Sequence, residues 1–148
     1  MHAIVESIDI SRPSEDVFSY ATDFAHFPEW QGGVVSARPE GDAPLAVGSR
    51  AVVTRRIGPR KLPRAEEITQ LNPPRSWEVR GVGGRLSAIA KGSIEPLDDG
   101  ERSRVTIAME FEGHGIGKLL VPLVSRQARR QLPRNERQLK EQLERPAS

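Results

Sequence analysis

The side chains that could do chemistry are few. The 148 residues contain three histidines, His2, His26 and His114, and no cysteine. Disulfides, thiolate metal sites and a cysteine nucleophile are therefore excluded. No histidine has a second one four residues away, so no metal or other cofactor is expected. No serine sits in a Gly-x-Ser-x-Gly elbow, and no Ser/His/Asp set has support. His114 falls at a strand end and is the best acid/base candidate; the plainer reading is an exposed loop imidazole. His26 is expected on the outer face of a short helical segment.

The stretch from Gly113 to Lys118, GHGIGK, lies between a strand and a helix and invites comparison with a phosphate loop. Its spacing is wrong for one. Gly113 and Gly117 are separated by three residues instead of four, and Leu119 stands where Ser or Thr is needed. A flexible connection that lets the following helix swing onto a sheet is the expectation, and such a hinge could gate a cavity. The strand glutamates, Glu66, Glu67, Glu78, Glu95, Glu110 and Glu112, mostly alternate with apolar neighbours, which places them on a solvated face. Arg55 and Glu67 are less clear. If Ala51 and Val53 face inward, Arg55 does too, and a charge there needs a partner or a ligand anion.

The elements that must position these groups follow from periodicity. Residues 2–10 alternate, with Ile4, Ile8 and Ile10 on one side, and read as a half-buried strand. Ser11-Arg12-Pro13-Ser14-Glu15-Asp16 reads as a helix start, with proline near the first position and acids in the first turn. Val17, Phe18, Tyr20, Ala21 and Phe24 continue at helical spacing, and Pro28 separates a second short helical turn carrying Phe27 and Trp30. Five of the chain's seven aromatic rings therefore fall between Phe18 and Trp30, before Gly32-Gly33. Of these, Phe24, Phe27 and Trp30 read first as core and second as one wall of a binding space.

From Val34 to Gly113 the pattern is strand and turn. Strands are expected at Val34–Arg38, Val47–Ile57, Ala65–Leu71, Ser76–Val82, Arg85–Leu97 and Arg104–Glu112. The connections are too short for parallel neighbours, so the sheet is antiparallel with one dry face. Residues 116–144 form a long amphipathic helix with an apolar stripe of Leu119, Leu120, Leu123, Val124, Ala128, Leu132, Leu139 and Leu143. Its charged remainder includes Arg126, Arg129, Arg130, Arg134, Glu136 and Arg137. Pro122 fits the first turns, and Pro133 is expected to kink or split the helix.

This order resembles the START/pollen-allergen (SRPBCC) superfamily, and more narrowly its bacterial polyketide cyclase/dehydrase group. The resemblance rests on the Ile10–Phe18 strand-to-helix step, on Asp23–Trp30, on Val47-Gly48-Ser49 with Leu71–Arg75, and on the Leu139–Glu144 ending. It implies an α+β helix-grip fold over a single domain, residues 1–148. In that fold a curved antiparallel sheet of about seven strands wraps a long C-terminal helix, with two short helices after the first strand. It also implies that the Pro-x-Trp segment closes one end of the grip.

Three functional readings follow. The first is a carrier, sensor or ligand chaperone binding a hydrophobic or aromatic small molecule between sheet and helix. Its lining set is Trp30, Arg55, Trp77, Val79, Leu86, Ala88, Ile107, Met109, Phe111, Leu120 and Val124, with small Ala88, Ala90 and Gly92 leaving room. A filled core is the plainer alternative. The second is an enzyme like the polyketide cyclases and dehydratases, which need an acid/base group in the pocket. The third is a module using the Arg-rich helix for transient contact with an anionic surface. The basic clusters lack interleaved aromatics, so nucleic acid is not expected as a partner. No segment approaches the apolar length of a membrane span, and the N-terminus does not read as a signal peptide, so a soluble, cytoplasmic protein is expected, as monomer or homodimer.

Overall fold

The computed structural model describes residues 3–146. Seven strands form one antiparallel sheet in the order β1-β7-β6-β5-β4-β3-β2. They are β1 (Ile4–Ile10), β2 (Val34–Pro39), β3 (Arg50–Ile57), β4 (Arg60–Asn72), β5 (Ser76–Gly81), β6 (Leu86–Leu97) and β7 (Arg102–Gly113). Helix α1 (Ser14–Thr22), a 3-10 turn at Phe24–His26 and α2 (Phe27–Trp30) follow β1; a 3-10 turn at Gly115–Leu119 leads into α3 (Val121–Glu144). This is the helix-grip arrangement. His2 lies outside the described residues, as do Ala147 and Ser148.

The register puts alternate residues on the face covered by α3. On β7 these are Ser103, Val105, Ile107, Met109 and Phe111, set against Pro96, Ile94, Gly92, Ala90 and Ala88 of β6. On β5, Trp77 pairs with Gly92 and Val79 with Ala90. Gly92 is glycine for a local reason: a Cβ there would overlap the Trp77 ring. Trp77 is thereby pressed flat on the sheet, and Phe18 of α1 meets it edge-on at 5.8 Å between centroids. Four of the five rings pack as core, with Phe18 6%, Phe24 2%, Phe27 3% and Trp30 6% exposed, while Tyr20 stays partly exposed and stacks on His26.

Several expected details change. Strand β4 begins five residues earlier than Ala65, because Gly58-Pro59 makes a tight hairpin whose arms pair fully from Ile57↔Arg60. Helix α3 runs unbroken through Pro133. The only backbone bond that proline itself removes is the one to the carbonyl of Arg129, which sits on the exposed side of the helix, where water can serve it. Glu66 is buried on the covered face, whereas Glu67 faces outward and bonds Arg50 at 2.7 Å. Glu78 is on the convex face yet only 4% exposed. Burial works to raise its pKa, but bonds from Thr69 and Arg80 and the charge of Lys91 bring it below the usual value. Finally, the glycines after β7 serve close packing. A Cβ on Gly117 would collide with the Arg85 carbonyl, and His114 N–H donates to that same oxygen at 2.8 Å.

Candidate functional site

The strand directions define two ends of the grip. One end holds the β3–β4 hairpin, the β5–β6 turn and the β7–α3 connection. The other holds the β1–α1 corner, the β2–β3 loop and the end of α3. The second end is locked. Arg12 Nη1 donates to the Leu143 carbonyl at 3.0 Å, Ser11 N–H to Glu144 at 2.8 Å, and Lys140 Nζ to the Asp9 carbonyl at 2.8 Å. Toward that end the covered face is sealed, with Val105 0%, Ile94 4% and Ile107 4% exposed. Toward the first end it is not. Leu86, Ala88, Ala90, Met109 and Phe111 point toward α3 but stay only partly buried, because the first turns of α3 carry exposed Leu120 and Leu123 and do not close over them.

The expected lining residues divide accordingly. Trp30, Trp77, Val79 and Ile107 are buried; Leu86, Ala88, Met109, Phe111 and Val124 are partly buried; Leu120 is 45% exposed at the rim. Arg55 faces inward, where it pairs with the buried Glu66 and reaches Gln31. This ion pair answers the charge that the strand pattern left open, with no ligand anion required. His114 is exposed beside the first end. His26 lies outside, stacked on Tyr20 at 4.3 Å and bonded to Glu29 at 2.9 Å. The bonds from His26 and Tyr20 hold the Glu29 carboxyl below its usual range.

A separate cleft of about 480 Å3 opens at the locked end, among Phe18, Ser19, Phe24, Leu45, Arg50 and Leu71. None of the expected lining residues reaches it. It owes its shape to the β2–β3 loop standing away from α1.

The residue missed by sequence reasoning is Glu136. Its charge groups it with the polar face of the last helix, yet it is 2% exposed and neither carboxylate oxygen has a hydrogen-bond partner. The sequence does carry a signal. Glu136 is four residues after Leu132 and three before Leu139, so it stands in phase with the buried stripe Ala128, Leu132, Leu139 and Leu143. Glu6 does the same on β1, in phase with Ile4, Ile8 and Ile10. Two acids interrupt two apolar faces that the fold then packs together. Burial, with the nearby Glu6 charge, pushes the Glu136 pKa up to about 8, so it is largely a neutral acid at pH 7. On α2, which packs against α3, Trp30 also buries its Nε1–H without a partner. The grip thus holds one unused donor and one unused carboxyl on two adjoining elements. Among the described residues no cluster of three or more acids and histidines is arranged to hold a metal ion.

A curved antiparallel sheet gripping one long helix is the architecture of the SRPBCC, helix-grip class of protein. Within it, the chain belongs to the polyketide cyclase / dehydrase and lipid transport family, whose profile matches residues 1–144. Solved structures agree on the fold. The aromatase/cyclase Zhui from Streptomyces sp. R1128 superposes with a TM-score of 0.80 at 10% identity, over 97% of this chain and 94% of that one. The protein TTHA0849 from Thermus thermophilus gives 0.76 at 17% identity, over 96% and 97%. Ara h 8.0201 gives 0.71 at 15% identity, also over 96% and 97%. Among curated proteins no sequence match is found.

Proposed function

We propose that the chain binds a hydrophobic small molecule with an oxygen-bearing polar end, in the groove that opens between the concave sheet and the first turns of α3 and runs inward to Glu136, past the middle of that helix. The apolar body lies against Ala88, Ala90, Met109 and Phe111. The polar end meets Glu136 and the Trp30 N–H. The observation that carries this reading is the buried, unpartnered Glu136 carboxyl. Such groups cost free energy unless something bonds them, and native structures keep few. A neutral acid donates to a carbonyl or hydroxyl oxygen and also accepts from a hydroxyl. The family's description pairs cyclase/dehydrase chemistry with lipid transport, and both handle apolar molecules bearing oxygen.

The test is native mass spectrometry of protein purified from its own host, with denaturing extraction of anything bound. A near-stoichiometric apolar molecule is expected, lost in Ala88→Trp and retained in Ser19→Trp, which fills the cleft at the locked end. The opposite pattern moves the site to that cleft and overturns the assignment.

The same carboxyl favours a second reading, a dehydratase or cyclase. Glu136 would protonate a hydroxyl that leaves as water, while Glu6 would take the proton from the carbon beside a carbonyl. In that case turnover falls above about pH 8, where Glu136 ionises, and Glu136→Gln loses kcat while His114→Ala retains it.

A further inference from the structure

The open end of the grip carries a surface that ligand binding does not require. Ile116 (63% exposed), Leu119 (79%), Leu120 (45%) and Leu123 (64%) stand together on the β7–α3 connection and the first turns of α3. Ile57 (57%) and Leu62 (47%) stand at the tip of the β3–β4 hairpin. In register, both lie on the side of the sheet that faces α3. The segments between them adjoin: a Cβ on Gly84 would strike the Arg64 guanidinium, and the 3-10 turn at Gly115–Leu119 packs on Arg85. Large apolar side chains this exposed, clustered at one end, mark an interaction surface.

Charge decides the partner. No Asp or Glu occurs between Thr54 and Arg64, where Arg55, Arg56, Arg60, Lys61 and Arg64 lie. None occurs between Gly113 and Asn135, where Lys118, Arg126, Arg129, Arg130 and Arg134 lie. Of these ten cations, Arg55 is paired with Glu66. The acids nearest by register, Glu110 and Glu112 of β7, alternate onto the convex face. A second copy seated here would set two like-charged surfaces against each other. Nucleic acid would leave the leucines in water. An anionic bilayer satisfies both parts at once, since its acyl region takes the leucines and its headgroups take the cations.

We propose that the open end of the grip docks on an anionic lipid bilayer, with Leu119 and Leu123 entering the acyl boundary and the Arg/Lys residues of the β3–β4 hairpin and α3 meeting the headgroups. The anchored far end of α3 then keeps the rest of the fold away from the membrane, and the groove opens directly onto the lipid. Each basic residue near such a surface strengthens partitioning by about fivefold, an effect that salt weakens.

The test is co-sedimentation of the full chain with vesicles of phosphatidylcholine alone and of phosphatidylcholine mixed with phosphatidylglycerol. Binding is expected to the anionic vesicles only and to weaken in salt. It should fall by roughly tenfold or more when Leu119→Glu and Leu123→Glu are combined. Both positions are exposed, so thermal unfolding should show the same fold. Because the chain has no cysteine, a fluorophore on Leu119→Cys reports its surroundings alone, and a blue shift with anionic vesicles is expected. No binding to anionic vesicles overturns the proposal. So does binding that ignores the leucine changes while the label stays in water, which is charge adsorption only. A vesicle-free dimer abolished by the same substitutions assigns the surface to a second copy instead. Ligand occupancy is read without vesicles, so this proposal and the binding function can fail independently.

Discussion

Glu136 shows how one residue can shape the behaviour of the whole chain. Its carboxyl has a pKa of 4.5 when unfolded and about 8 when folded. Between those values the folded chain holds a proton that the unfolded chain has released, so stability falls as pH rises across that window and levels off above it. Denaturant unfolding from pH 5 to 9 should show this slope, and Glu136→Gln should remove most of it. At pH 8.5 the variant should be the more stable protein, by on the order of a few kcal/mol. Glu6→Gln should lower the midpoint of the slope without returning it to 4.5, because burial is the larger cause and Glu6 the smaller. A wild-type profile flat across this range would mean that Glu136 is solvated in solution. Arg55 makes the contrasting case: it is also inward-facing, but Glu66 neutralises it at once.

Among the elements, α3 has the most uneven support. Its last turns are tied to the β1–α1 corner through Arg12, Ser11 and Lys140, while its first turns expose leucines. Burial toward the locked end also explains why Pro133 does not split it. Leu132, Glu136, Leu139 and Leu143 hold the helix on the sheet on both sides of the proline, and one missing backbone bond cannot undo that packing. The proline still costs something. Pro133→Ala should raise stability by roughly 2 kcal/mol: a helix-interior penalty of about 3 kcal/mol is relieved, and up to about 1 kcal/mol is offset by the freer unfolded chain. Thermal unfolding measures this directly, and a loss of stability would show that the proline shapes the helix to the sheet.

For the molecule as a whole, the parts form a grip whose helix is tied down at one end, beside a separate cleft, and stands clear of the sheet at the other. If the groove binds an apolar ligand, the ligand-free protein carries the cost of its unpartnered carboxyl and its half-covered apolar rows. Refilling the groove should therefore stabilise the fold. At a free ligand concentration of about 100 Kd the gain is about 2.7 kcal/mol, which for a chain of this size is a rise in Tm on the order of 5–10 °C. Delipidated protein titrated with its own extract should show that rise, and Ala88→Trp should not.

The linear chain determined the fold because its signals are local and repeated. Alternation over seven strands, short turns, and an apolar stripe on one long helix agree with one another, while the strand order, with β1 beside β7, came from the tertiary structure. The linear chain also determined that Phe24, Phe27 and Trp30 belong to the core. Only the tertiary structure decided which charges are buried. Glu136 and Glu6 each look like single acids on separate elements. It is the packing of α3 on β1 that removes water from Glu136 and brings the two charges within reach of each other. The placement of Glu66 inside and Glu67 outside likewise depends on the β4 register, with its shift between Ile68 and Gln70. A one-residue offset of that kind reverses the face of every side chain beyond it, and alternation in sequence carries no mark of which offset the neighbouring strand will impose.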